Sequence, residues 1–174
     1  TGCGKTLFAM EFLIRGITEF DEPGVFIAFE ETREELTQNF SSLGFDLENL
    51  SAQNKLLIDH IHTDWDRMDQ TGEFDLDALL IRLDHAIQKV QAKRVVLDTV
   101  EVLFDVLGDT DMLRSELRRV FRWLKERGVT VVITGESGDN HLTRRGIEAY
   151  ISDCVILLEQ RIDNKIARRW MRII

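Results

Sequence analysis

The chain has 174 residues, 44% hydrophobic and 30% charged, with a formal net charge of −9. That balance suits one globular domain with a sizeable core, and no run is apolar enough to make a transmembrane helix. The acidic excess weighs against a general nucleic-acid-binding surface. Cys3 and Cys154, without metal-type spacing, are expected as free thiols in a reducing compartment, the cytoplasm.

The chain opens on Thr1-Gly2-Cys3-Gly4-Lys5-Thr6, the tail of the phosphate-loop pattern G-x-x-x-x-G-K-[ST]. The leading glycine and the strand before it are expected ahead of Thr1, so no leader peptide is expected at this start. The candidate phosphate cradle is Gly2, Cys3, Gly4, Lys5, Thr6 and Leu7. Glycines let backbone N–H groups wrap a phosphate that a Cβ would obstruct. A helix N-terminus adds partial positive charge, Lys5 reaches the β- and γ-phosphates, and the Thr6 hydroxyl ligates Mg²⁺. A bare Gly-Lys-Thr is common, so the assignment depends on its context.

Helical spacing of Phe8, Phe12, Leu13 and Ile17 predicts a helix from Lys5 to about Phe20. Pro23-Gly24 then leads into a buried strand, Val25–Phe29. Glu30 and Glu31 follow at its end. Adjacent carboxylates repel, so the pair points to a use, and a glutamate there is placed to polarise a water, with Glu30 slightly ahead of Glu31 as base. The bland alternative is that Glu31 only charges the next helix's N-terminus. That helix, Thr32–Ser42, opens with a capping-box pattern of Thr32 and Glu35. Leu56–Ile61 is a strand. His62–Gly72, with Trp65 and Met68, is a polar loop, and the stripe of Phe74, Leu76, Leu79, Leu80, Leu83, Ile87 and Val90 is a helix.

Arg94-Val95-Val96-Leu97-Asp98 is an apolar strand ending in a carboxylate. In a parallel α/β sheet the ligand crevice lies beyond the strands' carboxyl ends, which makes Asp98 the candidate Mg²⁺ carboxylate. A helix over Asp111–Arg127 closes at Gly128. Its arginines Arg114, Arg118, Arg119 and Arg122 form a solvated face with acidic partners such as Glu116, or part of a ring contact. Strand Val129–Ile133 ends at Thr134, whose hydroxyl either senses a γ-phosphate or simply ends the strand. Ser137–Ile147 is a loop, and Val155–Leu158 and Trp170–Ile174 are strands. His60 and His62 alternate without a third ligand, so no metal is expected there. The expected fold is one α/β domain with a mainly parallel central sheet covered by helices on both faces.

Several runs together resemble the first ATPase domain of the KaiC family. They are Gly4–Phe8, Glu11–Leu13, Glu19–Phe26, Phe29–Thr32, Leu43–Leu47, Phe74–Leu76, Ala86–Lys89, Arg94–Asp98, Gly146–Glu148 and Ser152-Asp153. The resemblance covers nearly the whole chain in order. It implies a RecA-like P-loop NTPase that binds ATP with Mg²⁺ between subunits of a ring, a hexamer, with KaiB-like protein partners and a circadian or signalling role. It carries the catalytic roles onto Lys5, Glu30 and Glu31, and metal binding onto Thr6 and Asp98. The family's trans-acting Lys-x-Arg-Gly segment is expected after Ile174, so residues 1–174 are expected to be a domain shortened at both ends. The family's second domain phosphorylates itself on adjacent Ser and Thr. The matching positions here are Glu148 and Ala149, which accept no phosphoryl group, so this copy resembles the hydrolysing domain.

Three other readings compete. One is a serine/threonine autokinase carried by a second domain of the parent protein. Another is a RecA/RadA-type DNA-dependent ATPase. The acidic stretch after Asp98, with Glu101, Asp105, Asp109 and Asp111, weighs against DNA, and only Arg144 and Arg145 favour it. The third is a module that binds ATP without turnover.

Overall fold

Apolar strands alternating with amphipathic helices build a parallel sheet with a helical layer on each face. A computed structural model describes residues 2–61, 76–102, 110–136, 152–163 and 166–174, with backbone only at 110–114 and 162–163. The readings of Trp65, Met68, Phe74, Asp105, Asp109, Arg144, Arg145, Glu148 and Ala149 lie outside the described residues, as do the side chains of Asp111 and Arg114.

The elements in chain order are α1 (Lys5–Phe20), β1 (Gly24–Ala28), α2 (Arg33–Ser41), α3 (Leu47–Ala52), β2 (Leu56–His60) and α4 (Leu76–Val90). After them come β3 (Arg94–Asp98), α5 (Thr110–Glu126), β4 (Thr130–Ile133), β5 (Ile156–Asp163) and β6 (Ile166–Ile173). The strand order is β2-β1-β3-β4, all parallel. The register Gly24↔Arg94 through Ala28↔Asp98 brings the carboxyl ends of β1 and β3 level.

Alternation along β1 sorts its side chains to two cores. Val25, Ile27 and Phe29 join Val95 and Leu97 under α4 and α5. Phe26 and Ala28 join Val96, Leu56 and Ile58 under α1, α2 and α3. Phe26 and Met10 are wholly buried, each contributing about 1.5–3 kcal/mol. The predicted capping box forms: Thr32 accepts from the Glu35 N–H at 3.2 Å, and the Thr32 N–H donates to Glu35 Oε2 at 2.8 Å. Helix α5 ends before Gly128, whose φ of 66° suits glycine. Arg119 pairs with Glu116, as expected, and with Asp77.

Two features differ from the sequence expectation. Asp46 caps a six-residue helix, α3, by accepting the Asn49 N–H at 2.9 Å. It is too short to show a helical period. Strands β5 and β6 do not extend the parallel sheet but pair antiparallel as a separate two-stranded sheet. With only positions 164 and 165 between them, antiparallel pairing is the geometry the connection permits. Trp123 packs against the core, whereas Trp170 lies on the hairpin and is exposed.

Arg94 ties the strand ends remote from Asp98 to α1. Its guanidinium bonds Glu22 at 2.7 Å and the Phe12 carbonyl at 2.8 Å, and lies over the Phe12 and Phe20 rings. A Cβ on Gly16 would stand 2.5 Å from Arg94 Cδ. Gly16→Leu should therefore lower unfolding free energy by about 1–3 kcal/mol through overpacking. Chemical denaturation measures it, and a stability equal to the wild type would refute this packing role.

Candidate functional site

The parallel sheet carries the carboxyl ends of β1, β3 and β4 to one edge, and the N-terminus of α1 meets them there. Gly2 and Gly4 have φ of 78° and 101°, left-handed values that favour glycine. Gly4 caps α1 without a side-chain hydrogen bond. The first N–H groups of α1 are thus left without a side-chain cap, an arrangement that receives anions. Leu7 packs its side chain against the core below, so it can serve a phosphate only through its backbone. Cys3 and Lys5 line the cavity beside the loop.

Asp98 is the hub. It is 7% exposed. Its Oδ2 accepts the Thr6 hydroxyl at 2.9 Å, and its Oδ1 accepts the Thr134 hydroxyl. Burial pushes its carboxyl above the usual range. The two hydroxyls and the Lys5 ammonium pull it down, while Glu30 pushes it up. The Thr134 backbone is fixed too: its N–H donates to Leu97 O at 3.0 Å, and its carbonyl accepts from Val100 N–H at 3.1 Å. The Asp98–Thr99 peptide is cis.

The paired glutamates take different settings. Glu30 is exposed, and its Oε1 accepts the Thr99 hydroxyl at 3.0 Å. Glu31 is half-buried and accepts from Asn39 at 3.2 Å. Burial pushes the Glu31 carboxyl up, and the Asp98 charge adds to the push. Two residues met here were given no place in the site from the sequence. Thr99 orients Glu30, and Glu101 lies buried beneath Glu136, whose N–H it accepts. A lone acid inside the apolar run Val100-Glu101-Val102-Leu103-Phe104 was the available signal for the second.

The donor set suits magnesium, which takes hard oxygen ligands and keeps several waters. Thr6 Oγ1 and Asp98 Oδ2 are adjacent, and the buried Asp98 charge is under-compensated. Among the described residues no group of three or more His, Cys, Asp or Glu could hold a metal by itself.

A family model described as "ATPase: KaiC" matches residues 1–174. The chain belongs to the KaiC ATPase family. It is 54% identical to the circadian clock protein KaiC2 of Synechocystis sp. over 99% of this chain and 30% of that protein. Against the circadian clock oscillator proteins KaiC of Prochlorococcus marinus subsp. pastoris and Synechococcus elongatus it is 40% identical over its full length. It covers 35% and 34% of those two proteins, so the chain spans about a third of these relatives. As a KaiC-family domain it has the α/β architecture of a RecA-like P-loop ATPase. No helix among the described residues is long and apolar enough to cross a membrane.

Proposed function

We propose that this domain binds Mg-ATP on the phosphate loop and hydrolyses its β–γ phosphoanhydride at a boundary between subunits of a ring, a hexamer. The observation that carries the proposal is the Thr6–Asp98 hydrogen bond, which joins the phosphate loop to a strand-end carboxylate across 92 positions of sequence. Lys5 and the α1 amides hold the phosphates. Thr6 and Asp98 hold the magnesium ion. When bound, that ion offsets charge building on the bridging oxygen. Glu30, oriented by Thr99 and assisted by Glu31, takes a proton from water as its oxygen attacks the γ-phosphorus and the bond to the bridging oxygen breaks.

The acidic surroundings of the phosphate loop support the assembly part of this reading. Lys5 bears on carboxylates that include Asp98 and Glu101, with Glu30 and Glu31 close by. A triphosphate added to these acids calls for cations from a neighbouring subunit. Turnover per subunit of the parent protein should accordingly rise with protein concentration as rings form. A specific activity independent of concentration, in a protein shown by light scattering to stay monomeric, would remove the interface from the proposal.

Residues 1–174 act in this reading as one RecA-like unit of a longer chain. A cavity of about 860 Å³ lies between β4 and the β5–β6 hairpin, with Cys3 and Phe8 on its wall. One edge of β4 pairs with β3, and the other faces this cavity. The groove suits the strand that leads into the phosphate loop. The KaiC resemblance further supports a circadian or signalling role exercised through KaiB-like partners in the cytoplasm.

Thr134 completes the Asp98 setting. Thr134→Val keeps the shape but removes the hydroxyl donated to Asp98, and should lower ATP turnover by about tenfold, the worth of a hydrogen bond to a charged group. Steady-state phosphate release checks this, and unchanged turnover would return Thr134 to a strand end without a function.

A further inference from the structure

The described residues include four buried polar or charged side chains, Asp98, Thr99, Glu101 and Thr134. Three of them already serve the proposed hydrolysis. Asp98 holds the metal, Thr99 orients Glu30, and Thr134 donates to Asp98. Glu101 alone has no task there, although it is 6% exposed. Burying an acid is costly, so its place calls for a reason.

The reason lies in how the chain leaves the sheet. The paired register of β3 and β4 ends at Leu97↔Ile133. Two backbone bonds carry the ladder a step further: the Thr134 N–H donates to Leu97 O at 3.0 Å, and the Val100 N–H donates to Thr134 O at 3.1 Å. In a parallel pair every second amide of a strand points to the same neighbour, so the next in line is that of Glu136. Strand β3 ends at Asp98 and has no carbonyl to offer it. The Glu136 N–H donates to Glu101 Oε1 instead. A side chain thus takes the place of the missing rung. The carboxylate also packs directly on the backbone between Thr134 and Glu136, since a Cβ on Gly135 would lie 3.2 Å from Oε1. The Glu136 amide draws the carboxyl down against the upward push of burial, as a charge-assisted bond should.

We infer that Glu101 is a positioning residue for Thr134: its side chain clamps the segment after β4 to the turn after β3 and so keeps the Thr134 hydroxyl on Asp98. This rests on the Mg-ATP reading of the site above. Strand ends fray unless they are tied. With Glu136 tied, Thr134 lies between the ladder on one side and the clamp on the other. The clamp needs an acceptor at this reach, not a charge.

The test uses the intact parent protein and two readouts: steady-state phosphate release from Mg-ATP, and hydrogen–deuterium exchange of peptides covering residues 130–136. Glu101→Met keeps the length of the side chain but removes the acceptor. It should speed exchange in those peptides and lower turnover on the order of 3–10-fold. Glu101→Gln keeps an oxygen for the Glu136 N–H, and turnover should stay within about twofold of the wild type. Added to Thr134→Val, Glu101→Met should slow turnover by less than about a further twofold, because both act through one hydroxyl. A full additional loss in the Thr134→Val background would overturn the inference, since general damage to the fold multiplies with the loss of a hydroxyl. So would a glutamine variant as slow as the methionine one. Wild-type exchange and turnover in Glu101→Met would sink this inference alone, whereas a wild type that releases no phosphate would sink the Mg-ATP reading and this role with it. Should Glu101→Met not fold, Glu101→Asp shortens the reach and keeps the charge: it should reproduce the slowing, and undiminished turnover in it would contradict the clamp.

Discussion

Replacing Glu30 and Glu31 together by Gln is expected to leave ATP bound and to cut its turnover by a factor on the order of 10²–10⁴, the usual worth of a general base. The amides keep the size and hydrogen-bonding oxygen of the carboxylates but cannot take the proton of the attacking water. The two positions should not contribute equally. Glu30 is exposed and oriented by Thr99, whereas Glu31 is half-buried against Asn39. Burial and the Asp98 charge hold the Glu31 carboxyl above the usual range, but Glu31 is turned to Asn39 rather than to the open crevice. Glu30→Gln alone should therefore account for most of the loss. Single-turnover phosphate release beside equilibrium ATP binding separates the two effects. Normal turnover in the double variant would mean that the base lies elsewhere.

Asp98→Asn should move activity and stability in opposite directions. Turnover should drop on the order of 10²–10³-fold, because the amide weakens the metal site and the preorganised charge around the phosphates. The nucleotide-free fold should become more stable at neutral pH. The sign follows from burial. The Asp98 carboxyl is raised in the native state, so between its ordinary value of about 3.9 and the raised one the native state holds more protons than the unfolded chain. Stability therefore falls as pH rises through that window, and the penalty is fully present above it. Glu31 and Glu101 are raised as well and add slopes of the same sign. The asparagine variant should flatten the pH dependence of denaturation without abolishing it. Loss of stability at neutral pH would show that the Thr6 and Thr134 hydrogen bonds outweigh the buried charge.

What could be read from the sequence was what is local in the chain. Gly4, Lys5 and Thr6 are consecutive, and the helix they open announces itself by spacing. The Thr32–Glu35 cap closes within one turn. The run Arg94–Asp98 is apolar up to its last residue, so both the strand and the carboxylate at its end were visible. The missing part consists of contacts made across the fold. Nothing near Thr134 in sequence says that its hydroxyl meets Asp98, 36 positions away. Thr99 meets Glu30 across 69 positions only because β1 and β3 pair in register. Glu101 looked like one more acid of a solvated loop, although the fold buries it under Gly135 and Glu136. The hairpin's separation from the parallel sheet was equally hidden, since an apolar run shows a strand but not its neighbour.

The most direct test of the account incubates the intact parent protein with Mg²⁺ and γ-labelled ATP, then separates free phosphate from labelled protein. The account predicts free phosphate that disappears on chelation and in the Glu30→Gln, Glu31→Gln variant, with no label on residues 1–174. Bound ATP that is never hydrolysed, or label transferred to this domain, would contradict it.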